Sequence, residues 1–417
     1  MVKVVYARAL LLALASLAPG PSAARDVCDD VSVPTPTPTG QLTPSPSPSP
    51  TVPGPAPGKT RPLIVAHRGA SAYLPEHTIE AYTLAIESGV DFIEPDLVST
   101  KDGVLIARHE PNIIATTDVA SRPEFANRKR NATVDGIVDV GFFVSDFTLT
   151  ELKTLGAIQA MADRDQSYNG KFKIPTFEEV IDLAKKKSKE TGRTIGIYPE
   201  TKHSIYHRTI GLPLEEKLLA ALEKAGWTDA SAPVIIQSFE QANLMELRSK
   251  TKVQLAQLVN GGSIDPKSGA IKGDTKPYDW VVSGRNGSSL DLLTPSGLKE
   301  VARYADIIAP YKRYLVSTVA LKVDESTGKA LDANGDGKIT EEDYKTLENA
   351  QLFKDAHGAG LKVHTWTFRD EPYRLAADYK SDPKQEYLQF FRLGIDGLFS
   401  DNCKTAVPVR DQFVATA

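Results

Sequence analysis

Residues 61–69, Arg61-Pro62-Leu63-Ile64-Val65-Ala66-His67-Arg68-Gly69, begin a pattern that residues 92–98, Phe92-Ile93-Glu94-Pro95-Asp96-Leu97-Val98, repeat: a short apolar run carrying polar residues near its end. Seven further runs of this kind follow at 104–108, 195–200, 234–237, 253–258, 306–309, 362–366 and 397–400. Helix-patterned segments lie between them, at Thr78–Glu87, Phe177–Ser188, Leu214–Lys224 and Gln351–Ala359. Alternating strand and helix patterns predict a parallel sheet joined by helical crossovers. The closed form of that arrangement is a TIM-type (β/α)8 barrel, which has eight strand places for nine candidates, so one candidate is extra or pairs outside the barrel. The run Lys185-Lys186-Lys187 reads as a solvated helix face.

Such a barrel gathers its chemistry at the C-terminal ends of its strands. His67, Glu94, Asp96, His109, Glu200, Lys202, Gln237 and Trp366 all fall at or near such ends. Glu94 and Asp96 are two apart on a strand and so share a face. With Glu200 they offer three carboxylates and no thiolate, a donor set for a hard ion, Ca2+ or Mg2+. His67 and His109 are two imidazoles able to act as base and acid near neutral pH, and Arg68 suits a phosphate oxygen. His203, His207 and His357 lack a partner pattern and read as surface or capping residues. Two segments, 111–175 and 260–295, exceed ordinary loops, and either could cover the barrel mouth.

His67-Arg68-Gly69, Leu74-Pro75-Glu76-His77-Thr78, Glu94-Pro95-Asp96-Leu97, Thr100-Lys101-Asp102-Gly103, His109, Glu200-Thr201-Lys202, Gln237-Ser238-Phe239 and His364-Thr365-Trp366-Thr367 together resemble the glycerophosphodiester phosphodiesterases, most closely the secreted or periplasmic type. The resemblance spans about 61–407 in the family's order. It implies a TIM-type barrel and a divalent cation on Glu94, Asp96 and Glu200. It implies acid–base roles for His67 and His109, phosphate contact by Arg68 and Lys202, and a glycerol pocket walled by Phe239 and Trp366. The implied reaction hydrolyses small glycerophosphodiesters such as glycerophosphocholine to sn-glycerol 3-phosphate and an alcohol. The chain departs from the family at Glu110, where Asp usually follows the histidine; the partner of His109 is thereby one methylene longer. A sphingomyelinase-D-like or phospholipase-like phosphodiesterase on the same fold, or an inactive stalked barrel used for binding, are the competing readings.

Residues 332–343, Asp332-Ala333-Asn334-Gly335-Asp336-Gly337-Lys338-Ile339-Thr340-Glu341-Glu342-Asp343, read as an EF-hand-like loop. Asp332, Asn334, Asp336, the Lys338 carbonyl and Asp343 would hold a second, structural Ca2+. Asp in the closing place reaches less far than the usual Glu, and no second loop is visible to pair with it.

The first 60 residues carry different information. Lys3 and Arg8 precede an apolar run from Ala9 to Ala18, then small residues up to Ala24, the pattern of a signal peptide over 1–24. A Pro/Thr/Ser-rich linker over 25–60 cannot pack a core and predicts an extended stalk before a catalytic body of 61–417. The expected location is therefore secreted, with cell-envelope association through the stalk left open. Cys28 and Cys403, the two cysteines, leave open one disulfide or two separate thiols. Net charge is −4, which supplies no basic surplus for nucleic acid, and no later segment has the apolar length of a transmembrane span.

Overall fold

The computed structural model describes residues 61–416. The segments expected to be a signal peptide and a linker, and Cys28, lie outside the described residues. Eight strand positions form a closed parallel ring. In order they are Leu63–Ala66, a second in two pieces (Phe92–Ile93 and Asp96–Ser99), a third in two pieces (Gly196–Ile197 and Glu200–Thr201), Ile235–Ser238, Gln254–Val259, Ile307–Pro310, Lys362–Phe368 and Gly397–Ser400. Each pairs with the next, and the last returns to the first with Leu63 opposite Gly397. The second and third strands are each interrupted beside a proline, Pro95 and Pro199, which has no N–H for the ladder.

The ninth candidate is Leu105–Ala107. It runs antiparallel to Asp96–Ser99 with Leu97 opposite Ala107, outside the ring. The turn Thr100–Gly103 decides this. Thr100 Oγ1 accepts from the Val104 N–H at 2.9 Å, and Gly103 takes φ +84°, closing a tight hairpin far too short for a parallel crossover. His109 therefore does not sit at the C-terminal end of a barrel strand, as the sequence suggested. The hairpin carries it back toward Asp96, whose carbonyl accepts from the Arg108 N–H at 2.8 Å.

The helices form where the pattern placed them, and two of the four begin on capping hydroxyls. Thr78 accepts from the Ala81 N–H to start Ile79–Glu87, and a Thr176/Glu179 capping box starts Phe177–Thr191, which ends on left-handed Gly192. Of the lysine run in that helix only Lys186 is fully solvated. Lys185 reaches the Ala225 carbonyl at 2.7 Å, and Lys187 pairs with Glu87 at 3.1 Å. Inside the ring each strand position contributes one side chain to a packed plug: Val65, Phe92, Tyr198, Ile235, Ala256, Ile307, Trp366 and Phe399. This plug is the rigid floor beneath the site.

The 111–175 segment folds on a small apolar core, including Ile113, Phe125, Phe142 and Phe147, that it shares with Val98 and Ile106 of the adjoining strands. It carries a hairpin, Arg130–Val134 with Ile137–Gly141, turned through Asp135 and Gly136 at positive φ. The 332–343 loop lies between Val316–Ala320 and Tyr344–Glu348, which pair antiparallel. No helix among the described residues is long and apolar enough to cross a membrane.

The loop after the first strand is the least tolerant part of this frame. Arg68 has φ +59° and Gly69 φ +88°, and a Cβ on Gly69 would lie 2.9 Å from the Ala81 carbonyl carbon. Gly69→Ala is expected to lose about 2 kcal/mol of stability, measurable as an earlier midpoint in urea denaturation.

Candidate active site

The carboxylates meet through strand register. Asp96 is the direct partner of Glu200, and Glu200 of Gln237, on three neighbouring strands. Glu94, two residues before Asp96, completes the group. One oxygen from each of Glu94, Asp96 and Glu200 lies within 4.8 Å of the others, and all three residues are buried. Glu94 is fixed by two donors, the Arg68 backbone N–H at 3.0 Å and Gln237 Nε2 at 2.7 Å. Asp96 takes His77 Nε2 at 3.0 Å on Oδ2, while its buried Oδ1 has no hydrogen-bond partner among the described residues.

Three buried carboxylates this close cannot all ionise unaided. Burial, then Asp96 and Glu200, push Glu94 well above the usual carboxylate range. Glu200 is raised by burial even though Lys202 opposes the shift. Asp96 goes the other way: burial would raise it, but His77, Lys202 and His109 hold it well below. A set of oxygen donors, one of them orphaned and one driven toward protonation, fits a hard cation. Among the described residues no other group of three acidic, histidine or cysteine side chains has this geometry.

Both imidazoles have carboxylate partners on Nδ1. His67 Nδ1 lies 2.6 Å from Asp401 Oδ1, and His109 Nδ1 lies 3.1 Å from Glu110 Oε1. Asp401 is in turn held on Oδ2 by Arg164 at 2.7 Å and Arg369 at 2.8 Å. Burial, then the Arg68 charge, lower the His67 pKa, with Asp401 opposing, so its imidazole is biased toward the neutral form. The Asp401 contact places the Nδ1 proton and leaves Nε2 as the basic nitrogen. Lys202 Nζ bridges Glu200 Oε1 at 3.2 Å and His109 Nε2 at 3.1 Å. Arg68 contacts Glu76 at 3.0 Å and Asp96 at 3.6 Å. Phe239 and Trp366 meet edge to face at 5.7 Å, and Trp366 Nε1 is tied to the Ala309 carbonyl at 2.9 Å. Lys202 Nζ lies 5.8 Å from the Phe239 ring centre, so basic and aromatic walls adjoin.

The sequence reading missed Asp401, Arg164, Arg369 and His77. Asp401 follows the last strand directly, and its position at a strand end was the available signal. Arg164 comes from the long 111–175 segment and also reaches the Ser71 carbonyl at 3.2 Å, where Gln159 joins it at 3.0 Å; that segment thus braces the His67 loop. The 260–295 segment packs beside the barrel through Trp280 and Arg285 on Gln241. Two histidine readings need correction. His207 is fully buried and held to a pKa of about 3, chiefly by burial, because helix Ser204–Thr209 packs inward. His203 has two carboxylate partners. His357 is exposed as expected, paired with Asp396 at 2.8 Å.

The 332–343 loop is closed by its own backbone. Asp332 accepts from the Gly335 and Gly337 N–H groups, and buried Asp343 accepts from Ala333, Asn334 and Thr340. Its carboxylates do not form a three-member group, and Ile339 is 54 % exposed. Cys403 is a buried thiol among the described residues.

Comparison with known proteins agrees with this architecture. The model of the glycerophosphoryl diester phosphodiesterase family matches residues 67–405. The glycerophosphodiester phosphodiesterase GDPD6 of Arabidopsis thaliana is 36 % identical over 356 residues, 82 % of this chain and 84 % of that one. A glycerophosphodiester phosphodiesterase of Haemophilus influenzae is 28 % identical over 84 % of this chain and 90 % of its own. Among solved structures, a putative glycerophosphoryl diester phosphodiesterase from Silicibacter pomeroyi superposes with a TM-score of 0.54 at 19 % identity, covering 85 % of this chain and 94 % of that one. An Oleispira antarctica phosphodiesterase, in complex with the product sn-glycerol-3-phosphate, superposes at 0.50 with 17 % identity, covering 84 % and 97 %. With the barrel closed and the strand-end motifs gathered in one place, the chain belongs to the glycerophosphoryl diester phosphodiesterase family and is a phosphodiester hydrolase.

Proposed function

We propose that this enzyme hydrolyses small glycerophosphodiesters, glycerophosphocholine among them, to sn-glycerol 3-phosphate and an alcohol, with a divalent cation and two histidines. The observation that carries the reading is the buried cluster of Glu94, Asp96 and Glu200 with His67 and His109 each backed by a carboxylate on Nδ1. Bound to the three carboxylates, Ca2+ or Mg2+ would supply charge neutralisation at the non-bridging phosphate oxygens. The product found in the Oleispira antarctica protein supports the substrate class.

Arg68 and Lys202 orient the phosphate by charge. Phe239 and Trp366 wall the glycerol moiety, excluding water from one side of the pocket. His67, biased neutral, takes the proton of the adjacent glycerol hydroxyl as that oxygen bonds to phosphorus. His109 gives a proton to the departing alcohol as its P–O bond breaks. The resulting cyclic phosphate is opened by one water with the proton transfers reversed, which restores both imidazoles and balances the hydrolysis. We further propose secretion by the N-terminal signal, supported by its residue pattern, and a structural Ca2+ in loop 332–343, supported by its ligand spacing. No observation favours a sphingomyelinase-D-like substrate, and membership of a hydrolase family removes the reason to regard the barrel as inactive.

His67→Ala and Glu94→Gln should each reduce release of glycerol 3-phosphate from glycerophosphocholine by at least about 10²-fold with the circular dichroism spectrum retained, and EDTA should do the same reversibly. Wild-type turnover in either variant would refute the mechanism. Asp401→Asn removes the anion that raises the His67 pKa while the charge of Arg369, which lowers it, stays, so the His67 pKa falls further. The acidic limb of kcat/KM, where His67 must be unprotonated, should then move to lower pH while kcat drops. A limb that stays in place would remove His67 as the base. Asp332→Ala should abolish any calcium-dependent rise in melting temperature with little effect on turnover at low temperature. Identical melting of the wild type with and without calcium would eliminate the loop site.

A further inference from the structure

Glu110 poses a mechanical problem. Its side chain has one more rotatable bond than aspartate and is half-exposed, so nothing intrinsic to it keeps a carboxylate oxygen against His109 Nδ1. The structure supplies a second grip. His203 Nε2 lies 3.0 Å from Glu110 Oε2, the oxygen not used by His109, and its Nδ1 lies 2.6 Å from Asp135 Oδ2. Asp135, His203, Glu110 and His109 thus form one continuous chain across three separate segments: the hairpin turn of the 111–175 insertion, the loop after Lys202, and the end of the antiparallel strand.

With acceptors on both ring nitrogens, an imidazolium serves as a double donor, which a neutral ring cannot be. Burial works against that charge, but Glu110 and Asp135 outweigh it and raise the His203 pKa to about 10. The other ionisable groups facing His203 do not compete. Glu240 is raised to about 8, first by burial and then by Asp135, so its carboxyl is mostly protonated near neutrality. His207 on the adjoining helix stays neutral. The backbone also marks the position, since His203 takes φ +47° at the start of helix Ser204–Thr209 without a capping hydrogen bond from its side chain. Its imidazole is thereby committed to the two carboxylates.

We infer that His203 is a positioning residue, clamping Glu110 so that Glu110 orients the His109 imidazole for proton transfer. The inference rests on the acid–base role of His109 proposed above. The clamp makes the inserted hairpin, through Asp135, part of the catalytic apparatus, and it offsets the extra methylene of Glu110.

His203→Gly is the informative variant, because glycine accepts the positive φ and only the imidazole is lost. With the metal-loaded full chain and glycerophosphocholine, kcat is expected to fall roughly tenfold, a part of what an oriented imidazole contributes, while KM stays within about twofold. Added imidazole should recover several-fold activity in His203→Gly, and the Glu110→Ala/His203→Gly double variant should be no slower than Glu110→Ala alone. A His203→Gly enzyme with wild-type kcat, or losses that add in the double variant, would overturn the clamp. His109→Ala separates the two readings. If it is inactive while His203→Gly is fully active, only the clamp falls; if it retains turnover, the acid–base reading falls with it.

Discussion

The site depends on like-charge crowding. Strand register sets Asp96 beside Glu200, and the two-residue period adds Glu94, in a place where all three are buried. The rest of the mouth can be read as the means of keeping that arrangement standing. Lys202, Arg68 and His77 surround the cluster with positive or proton-donating groups, and Gln237 and the Arg68 amide hold Glu94 by hydrogen bonds. Their uneven distribution separates the three carboxylates electrostatically, with Asp96 committed to the anion and Glu94 displaced toward the acid. A cation is the ligand for which such crowding ceases to be a penalty.

Orientation of the imidazoles follows a second rule, with different hardware on each side. His67 is held by Asp401, an aspartate that two arginines lock in place from the far side. His109 is held by Glu110, locked by one protonated histidine. In both cases the carboxylate nearest the imidazole is itself fixed by positive charge beyond it, so the ring nitrogen meets an oriented acceptor rather than a mobile one. The long 111–175 segment supplies a member of each lock, Arg164 on one side and Asp135 on the other. The insertion is thereby tied to both imidazole sides of the site.

The aromatic side of the pocket is a continuation of the barrel plug. Trp366 belongs to the ring of inward residues that includes Tyr198 and Phe399, and its indole N–H is satisfied by the Ala309 carbonyl. Phe239 and Tyr311 pack on its two sides. A rigid apolar wall adjoining charged Lys202 suits a small molecule with one anionic and one carbon-rich end.

Much of this was legible in the chain itself. Eight of the nine strand candidates, the helices, the three carboxylates and His67 follow from local period and from polar residues at strand ends, because both signals are carried by neighbours in sequence; His109 was picked out by the same signal, but on a strand that lies outside the ring. The antiparallel placement of Leu105–Ala107 depended on a four-residue turn too short for a crossover, a constraint present in the sequence but readable only once strand direction was known. Asp401, Arg164 and the Asp135–His203–Glu110 chain were decided by tertiary structure alone. Their partners lie tens to hundreds of residues away, and no periodicity connects a side chain to a carboxylate brought beside it by closure of the ring.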